Sequence, residues 1–246
     1  DLQPELEAAG IAVIRLEQPR KWWLVGMARA IAAAARAHRA EVVQAHLYFP
    51  GLGTGLMRLM RLHPAATVMT YHNLAYGGAN RAGSKLRFRK VLAALSARRG
   101  MDAAMAVSGA VADHFAAALG LARPEVAVIP NPVDPAVGRI TPAPLTGRLT
   151  RIVVPGRLVP EKGHADLLAA LPHAGLPEGT GVVFAGGGPL EARLRAAGAV
   201  LGVTVTGWLD HAALLEEVAR ADLVVIPSRH EGFGIAAVEA LALGRP

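Results

Sequence analysis

Short apolar runs alternate with longer Ala- and Leu-rich stretches along nearly the whole chain. This alternation restricts the fold more than any other feature. Runs at 11–16, 42–45, 67–70, 103–107 and 126–129 have the length and apolar character of strands. Between them, 2–9, 24–38, 53–62, 85–98 and 110–119 carry helical patterning, with Gly10 as a stop and Ser108 as an N-cap. Strands separated by helices predict a mostly parallel sheet with helices on both faces. At 135–150 the pattern dissolves into Pro135, Gly138, Thr141, Pro142, Pro144, Thr146 and Gly147, which reads as a linker. A second alternation follows, with strands at 151–154, 181–185, 204–205 and 223–226 and helices at 164–171, 190–199 and 211–219. The predicted organisation is α/β: one doubly wound domain over 1–134, a linker over 135–150, and a second doubly wound domain over 151–246.

A chain of 246 residues with 52% hydrophobic content can build two full cores. It has no Cys, which excludes disulfides and Cys-based zinc sites and fits a reducing compartment. No 18-residue uncharged apolar stretch is present, and the Ala-rich segment 27–40 is broken by Arg29, Arg36, His38 and Arg39. The net charge of +7 is uneven. Residues 1–140 carry 17 Lys and Arg against 9 Asp and Glu, or +8, whereas residues 141–246 carry 9 against 10, or −1. A basic first half calls for an acidic partner. Aromatic residues do not interleave with the cations as a base-stacking surface would need, so nucleic acid is disfavoured. An anionic membrane leaflet or an acidic lipid-linked acceptor fits better. The run Lys85, Arg87, Arg89 and Lys90, with Phe88, Val91, Leu92 and Leu95 on one helical face, suits either a membrane surface or a core-packed helix with a solvated basic side.

The chemistry collects where strands end. After the run 223–226 come Pro227, Ser228, Arg229, His230, Glu231, Gly232, Phe233 and Gly234, then a helix starting near Ile235 and holding Glu239. In an open α/β sheet, ligands bind at such strand-to-helix junctions. The N–H groups of a helix start favour an anion such as a diphosphate. Carboxylates only accept hydrogen bonds, and so suit the hydroxyls of a sugar or ribose. Seven residues separate Glu231 from Glu239. The pattern points to a ligand with phosphates in its middle and hydroxyls at both ends. Arg157 and Lys162 follow the strand at 151–154 and can neutralise a diphosphate, Arg as a planar fork and Lys as a point charge. Gly186, Gly187 and Gly188, then Pro189, follow the strand at 181–185; they allow a close backbone approach or a plain tight turn. Pro189 breaks the continuing glycine pattern that an NAD-binding loop requires. No metal-ligand motif is evident.

Together these segments resemble the retaining glycosyltransferases of the GT-B fold, the group 1 or GT4 family. The resemblance rests on Glu231-Gly232-Phe233-Gly234, then Glu239-Ala240-Leu241-Ala242-Leu243-Gly244-Arg245-Pro246, with Gly156-Arg157-Leu158, Lys162-Gly163 and Asn131-Pro132 in support. It implies two Rossmann-like domains with a cleft between them. It implies a nucleotide-sugar donor, UDP- or GDP-linked, and a hydroxyl acceptor that is lipid-linked or a polysaccharide. It also implies retention at the anomeric carbon without a metal or other cofactor, and a cytoplasmic enzyme, peripheral at the membrane, in cell-envelope polysaccharide synthesis. The implied catalytic groups are Glu231, His72, Arg157 and Lys162. The implied donor-binding groups are Arg157, Lys162, Gly187, Gly232, Phe233, Gly234 and Glu239. His72 follows the strand at 67–70, where the family places a histidine near the donor sugar; His46 reads as structural or acceptor-side. The loop holding Trp208 would lie beside the base. The family pattern also implies a strand and Gly-rich loop before Asp1 and further elements after Pro246. Two alternatives stay open: another nucleotide-sugar enzyme of this fold (synthase, phosphorylase or epimerase), or a truncated, non-catalytic membrane-docking module.

Overall fold

The computed structural model describes residues 3–16, 23–74 and 84–246. It divides into two compact units, Asp1–Pro130 and Asn131–Pro246.

In the first unit, helices α1 (Gln3–Ala8) and α2 (Trp23–Ala37) precede strand β1 (Val42–His46). Then follow α3 (Tyr48–Leu59), β2 (Ala66–Tyr71), α4 (Ser84–Arg99), β3 (Ala103–Ala106), α5 (Gly109–Leu119) and β4 (Val126–Val128). The strands pair in parallel in the order β1-β2-β3-β4. Ala28 and Ala32 of α2 pack on Met57 of α3, so the alanines permit a close helix–helix approach. The Ser108 hydroxyl accepts from the Val111 N–H and caps α5, as its position suggests. Helix α3 begins five residues before the predicted 53. Pro50 sits in its first turn, where a proline removes no intrahelical hydrogen bond. The strand expected at 11–16 does not form: Ile11 and Ile14 are about half exposed, and no described strand pairs with them. An apolar run without a neighbouring ladder leaves its backbone groups to water.

The second unit holds β5 (Arg151–Pro155), α6 (His164–Ala170), β6 (Gly181–Ala185) and α7 (Glu191–Ala199). It continues with β7 (Val203–Val205), α8 (His211–Ala219), β8 (Leu223–Val224) and α9 (Ile235–Ala242). Its sheet is parallel in the order β7-β6-β5-β8. Side chains alternate between two cores. Val153, Val183 and Ala185 face Leu215, Val218 and Ala240 on one side. Ile152, Val154, Val182 and Phe184 face Leu168 and Leu194 on the other. This is the doubly wound arrangement that the paired apolar strands predict. Strand β8 is shorter than the run at 223–226 and only half-buried, because among the described strands it pairs with β5 alone. Residues 135–150, read as a linker, pack on this unit. Val137 is buried beside Leu215, and the Ala143 N–H donates to the Ala219 carbonyl. The buried Arg245 guanidinium donates to the carbonyls of Ala143, Ala221 and Leu243.

Two turns fix the edge where the strands of this sheet end. Gly163 is left-handed at φ 69, and a Cβ there would run into the Pro227 carbonyl oxygen. A Cβ on Gly186 would likewise meet the Gly156 carbonyl. Gly163→Ala should therefore destabilise the second unit by about 2 to 5 kcal/mol, combining left-handed strain with overpacking. Gly147→Ala, at φ 75 with open space around it, should cost only about 1 kcal/mol. Urea midpoints followed by circular dichroism separate the two; equal losses would contradict the packing argument.

Stability should also fall in mild acid. Burial is the largest cause holding His72, His114 and His164 below the ordinary imidazole range. The charges of Lys90 and Lys162 add to it for His114 and His164. A histidine kept neutral in the fold contributes stability above its unfolded value of about 6.5 and loses it as pH falls through that value. Asp102 and Asp222 are held low by hydrogen bonds, from the Thr67 backbone and the Thr150 hydroxyl in the first place, so their contribution persists to lower pH. The unfolding temperature should drop between pH 8 and about 5. His164→Gln should flatten part of that drop; an unchanged slope would exclude His164 as a source.

Candidate functional site

In the second unit the loops after β6, β5 and β8 lie side by side, because those strands are neighbours and all point the same way. Backbone hydrogen bonds tie them together. Gly156 N–H donates to Ala185 O, Leu158 N–H to Gly187 O, and Arg229 N–H to Glu161 O. Arg229 also grips Asp166 with two parallel bonds of 2.9 and 2.8 Å. Leu158 is fully buried and anchors the loop that bears Arg157 and Lys162.

This scaffold brings two of the sequence-predicted residues into contact. Lys162 Nζ lies 2.6 Å from Glu231 Oε1, with both side chains partly screened from solvent. Arg157 is exposed on the same loop as Lys162, and no ion pair joins it among the described residues. Gly232 and Phe233 are half-buried, and Gly234, left-handed at φ 79, is the N-cap of α9. The first turn of that helix presents N–H groups at its start. Gly187 has a different neighbour: a Cβ there would meet the Trp208 indole at 2.6 Å. Trp208 thus lies against the glycine loop while remaining 69% exposed.

Glu239 is buried, and its Oε1 meets His211 Nε2 at 2.8 Å. The other nitrogen of His211 lies 3.4 Å from Asp134. Sequence reasoning missed His211. It is the first residue of α8, behind the Asp210 cap whose carboxylate accepts from Ala213 N–H. Nothing in a separation of 28 residues announces its contact with Glu239.

His72 belongs to the first unit. In β1 and β2, His46 pairs in register with Thr70, which puts Gln44, His46, Thr70 and His72 on one face. Gln44 donates to Thr70 Oγ1 at 2.8 Å, and His46 Nδ1 meets His72 Nε2 at 2.7 Å with the rings stacked. Burial, then the neighbouring His46, holds His72 below the ordinary imidazole range. Leu47, directly after His46, takes a left-handed φ of 70. For a residue with a Cβ this is strained, and such strain collects at functional sites. The pairing gives His46 a definite neighbour that spacing alone leaves open.

Among the described residues no cluster of three or more His, Asp or Glu is placed to hold a metal ion. No described helix is long and apolar enough to cross a membrane.

Residues 2–137 match the family described as Glycosyltransferase Family 4, and residues 150–246 match Glycosyl transferases group 1. The chain is 32% identical over 218 residues to a glycogen synthase of Mycobacterium tuberculosis, covering 86% of this chain and 52% of that protein. It is 30% identical over 268 aligned positions to the 2-deoxystreptamine N-acetyl-D-glucosaminyltransferase of Streptomyces fradiae, covering 99% of this chain and 62% of that one. The chain therefore spans about half to three-fifths of the length of these relatives. Its fold is similar to that of Anabaena HepE, crystallised with UDP-glucose, at a TM-score of 0.77 and 21% identity over 99% of this chain and 68% of that one. With parallel sheets of the GT-B type in both units and family matches over both, the chain belongs to glycosyltransferase family 4, the group 1 glycosyl transferases.

Proposed function

We propose that this chain forms part of a glycosyltransferase that moves a sugar from a nucleoside diphosphate sugar to a hydroxyl acceptor, with retention at the anomeric carbon. The observation that carries the reading is the Lys162–Glu231 pair at 2.6 Å on the carboxyl edge of the second sheet, with Arg157 on the same loop. Cations and an acid side by side suit a ligand whose phosphates and hydroxyls are adjacent. The UDP-glucose held by HepE is a ligand of that kind.

In the proposed reaction the bond between the anomeric carbon and the diphosphate oxygen breaks, and a bond from that carbon to the acceptor oxygen forms. The acceptor proton passes to the departing phosphate oxygen. Negative charge grows on the leaving diphosphate. Arg157, Lys162 and the first N–H groups of α9 bind it more strongly in the transition state than before, which lowers the barrier. These cations would do the work of a metal, so none is required. Glu231 orients the sugar through its hydroxyls and is not assigned as a covalent nucleophile. Glu239, steadied by His211, accepts from the ribose hydroxyls. Gly187, Gly232, Phe233 and Gly234 shape the donor pocket.

The relatives differ by name, a glycogen synthase and a 2-deoxystreptamine N-acetyl-D-glucosaminyltransferase, so the acceptor does not carry over from them. A membrane-bound acceptor is favoured by α4. Phe88 and Val91 are each 64% exposed and Leu95 is 44% exposed, at one-turn spacing on a helix with several Arg and Lys and no acid. The side chain of Lys85 lies outside the described residues. On this reading the protein docks on an anionic leaflet.

Calorimetric titration with UDP and GDP should give binding heat with one of them; a folded chain silent to both would overturn the proposal. In a protein that carries the whole family length, Lys162→Ala and Glu231→Ala should each lower turnover by about a hundredfold or more. Product analysis with labelled donor should show transfer with the anomeric configuration kept. Epimerised donor without transfer, or inverted product, would defeat it.

A further inference from the structure

A hollow of about 310 Å³ lies wholly within the first unit, at the carboxyl ends of β1 and β2. That volume is at the lower end of small-molecule sites. Its apolar lining includes Phe49, Leu52, Met69, Tyr71, Met101 and Phe115. The Tyr71 ring stacks on Phe115 with centroids 3.8 Å apart, and Trp23 meets Phe49 edge-on at 5.1 Å, so the aromatic walls are braced from behind.

The polar groups in the wall are few, and most are occupied. Ser96 Oγ donates to Gly51 O, Thr70 Oγ1 accepts from Gln44, and Tyr48 O–H donates to Arg89 O. A site for a bare oligosaccharide needs several free acceptors and donors facing in, and these groups are turned to the protein. The charged member of the lining is Arg89. Its guanidinium sits 4.4 Å from the Tyr48 ring centroid, a cation–π contact that holds it at the hollow without neutralising it. Among the described residues no carboxylate lines the hollow. The sequence contains no Asp or Glu between Glu41 and Asp102, whereas it carries Arg58, Arg61, Arg81, Lys85, Arg87, Arg89, Lys90, Arg98 and Arg99 there. Of these cations Arg89 is the one in the wall, and Arg58 is paired with Asp102. His72 also lies in its wall.

We infer that this hollow binds the non-reacting part of the acceptor, and that the acceptor is an anionic amphiphile: an apolar group seated against Tyr71 and Phe115, next to a phosphate or carboxylate held by Arg89. The inference rests on the transferase reading above and names the acceptor class that reading leaves open. An acceptor seated there presents its hydroxyl beside His72.

The test is titration calorimetry with octyl phosphate below its aggregation concentration, beside 1-octanol, inorganic phosphate and maltose. Octyl phosphate should bind, octanol more weakly, and phosphate and maltose not measurably. Arg89→Gln should weaken octyl phosphate by about tenfold or more while leaving octanol unchanged. Ala93→Trp, which fills the hollow from α4, should abolish both and leave UDP binding in the second unit intact. An unchanged circular dichroism spectrum and urea midpoint for the variant show that the first unit is folded. Binding of maltose but not octyl phosphate would overturn the inference, as would octyl phosphate binding that survives Ala93→Trp or ignores Arg89→Gln. UDP binding without octyl phosphate binding sinks this inference alone. Octyl phosphate binding without any nucleotide binding sinks the nucleotide-sugar reading instead.

Discussion

Lys162 and Glu231 come from loops 69 residues apart, and their contact depends on how tightly those loops are fastened. Gly163 lets the β5 loop press against the Pro227 carbonyl, Arg229 ties the β8 loop to Glu161 and Asp166, and Leu158 roots the β5 loop in the core. Holding the pair this way has a chemical consequence. Neither charge is left alone in a partly desolvated edge, which would be costly. In the proposed reaction a diphosphate would take the place of Glu231 at Lys162, leaving the carboxylate to accept from hydroxyls. The cation is thus in place before the ligand, and little reorganisation is left for the reaction itself.

Much of this was legible in the sequence, for reasons that can be traced. The two parallel sheets follow from the spacing of apolar runs, since no hairpin turn separates them. Ser108 announces its helix because a hydroxyl before an apolar periodic segment has one obvious use. The meeting of Lys162 with Glu231 agrees with the rule that ligand groups gather at carboxyl ends of parallel strands. The failures are of one kind. Residues 11–16 have strand composition, but a strand exists only if a neighbour completes its ladder, and local sequence does not report neighbours. The start of α3 lies ahead of the predicted 53, with Pro50 tolerated in its first turn. His211 meets Glu239, and His46 meets His72, through tertiary geometry with no fixed offset in the chain.

The segment after Pro130 shows how composition misleads about attachment. Its prolines and glycines suggest a free tether, yet Val137 is buried and Arg245 clasps the Ala143 carbonyl. Asp134, at the start of this segment, faces the same imidazole that meets Glu239. His211 thus stands between the segment that follows the first unit and the carboxylate proposed to grip the ribose.

The two units apply one principle with different side chains. In both, parallel strands leave helix starts and loop ends at one edge, and that edge has no ladder of its own to satisfy. The second unit fills it with a cation–carboxylate pair and glycine backbone, suited to phosphates and hydroxyls. The first fills it with stacked rings, one guanidinium and a histidine pair, suited to an apolar group carrying an anion. The difference lies in residue choice at a few loop positions rather than in topology. That choice agrees with the charge of each half of the chain: net positive where the acidic, apolar partner is proposed to bind, and near neutral where cations are already matched by carboxylates.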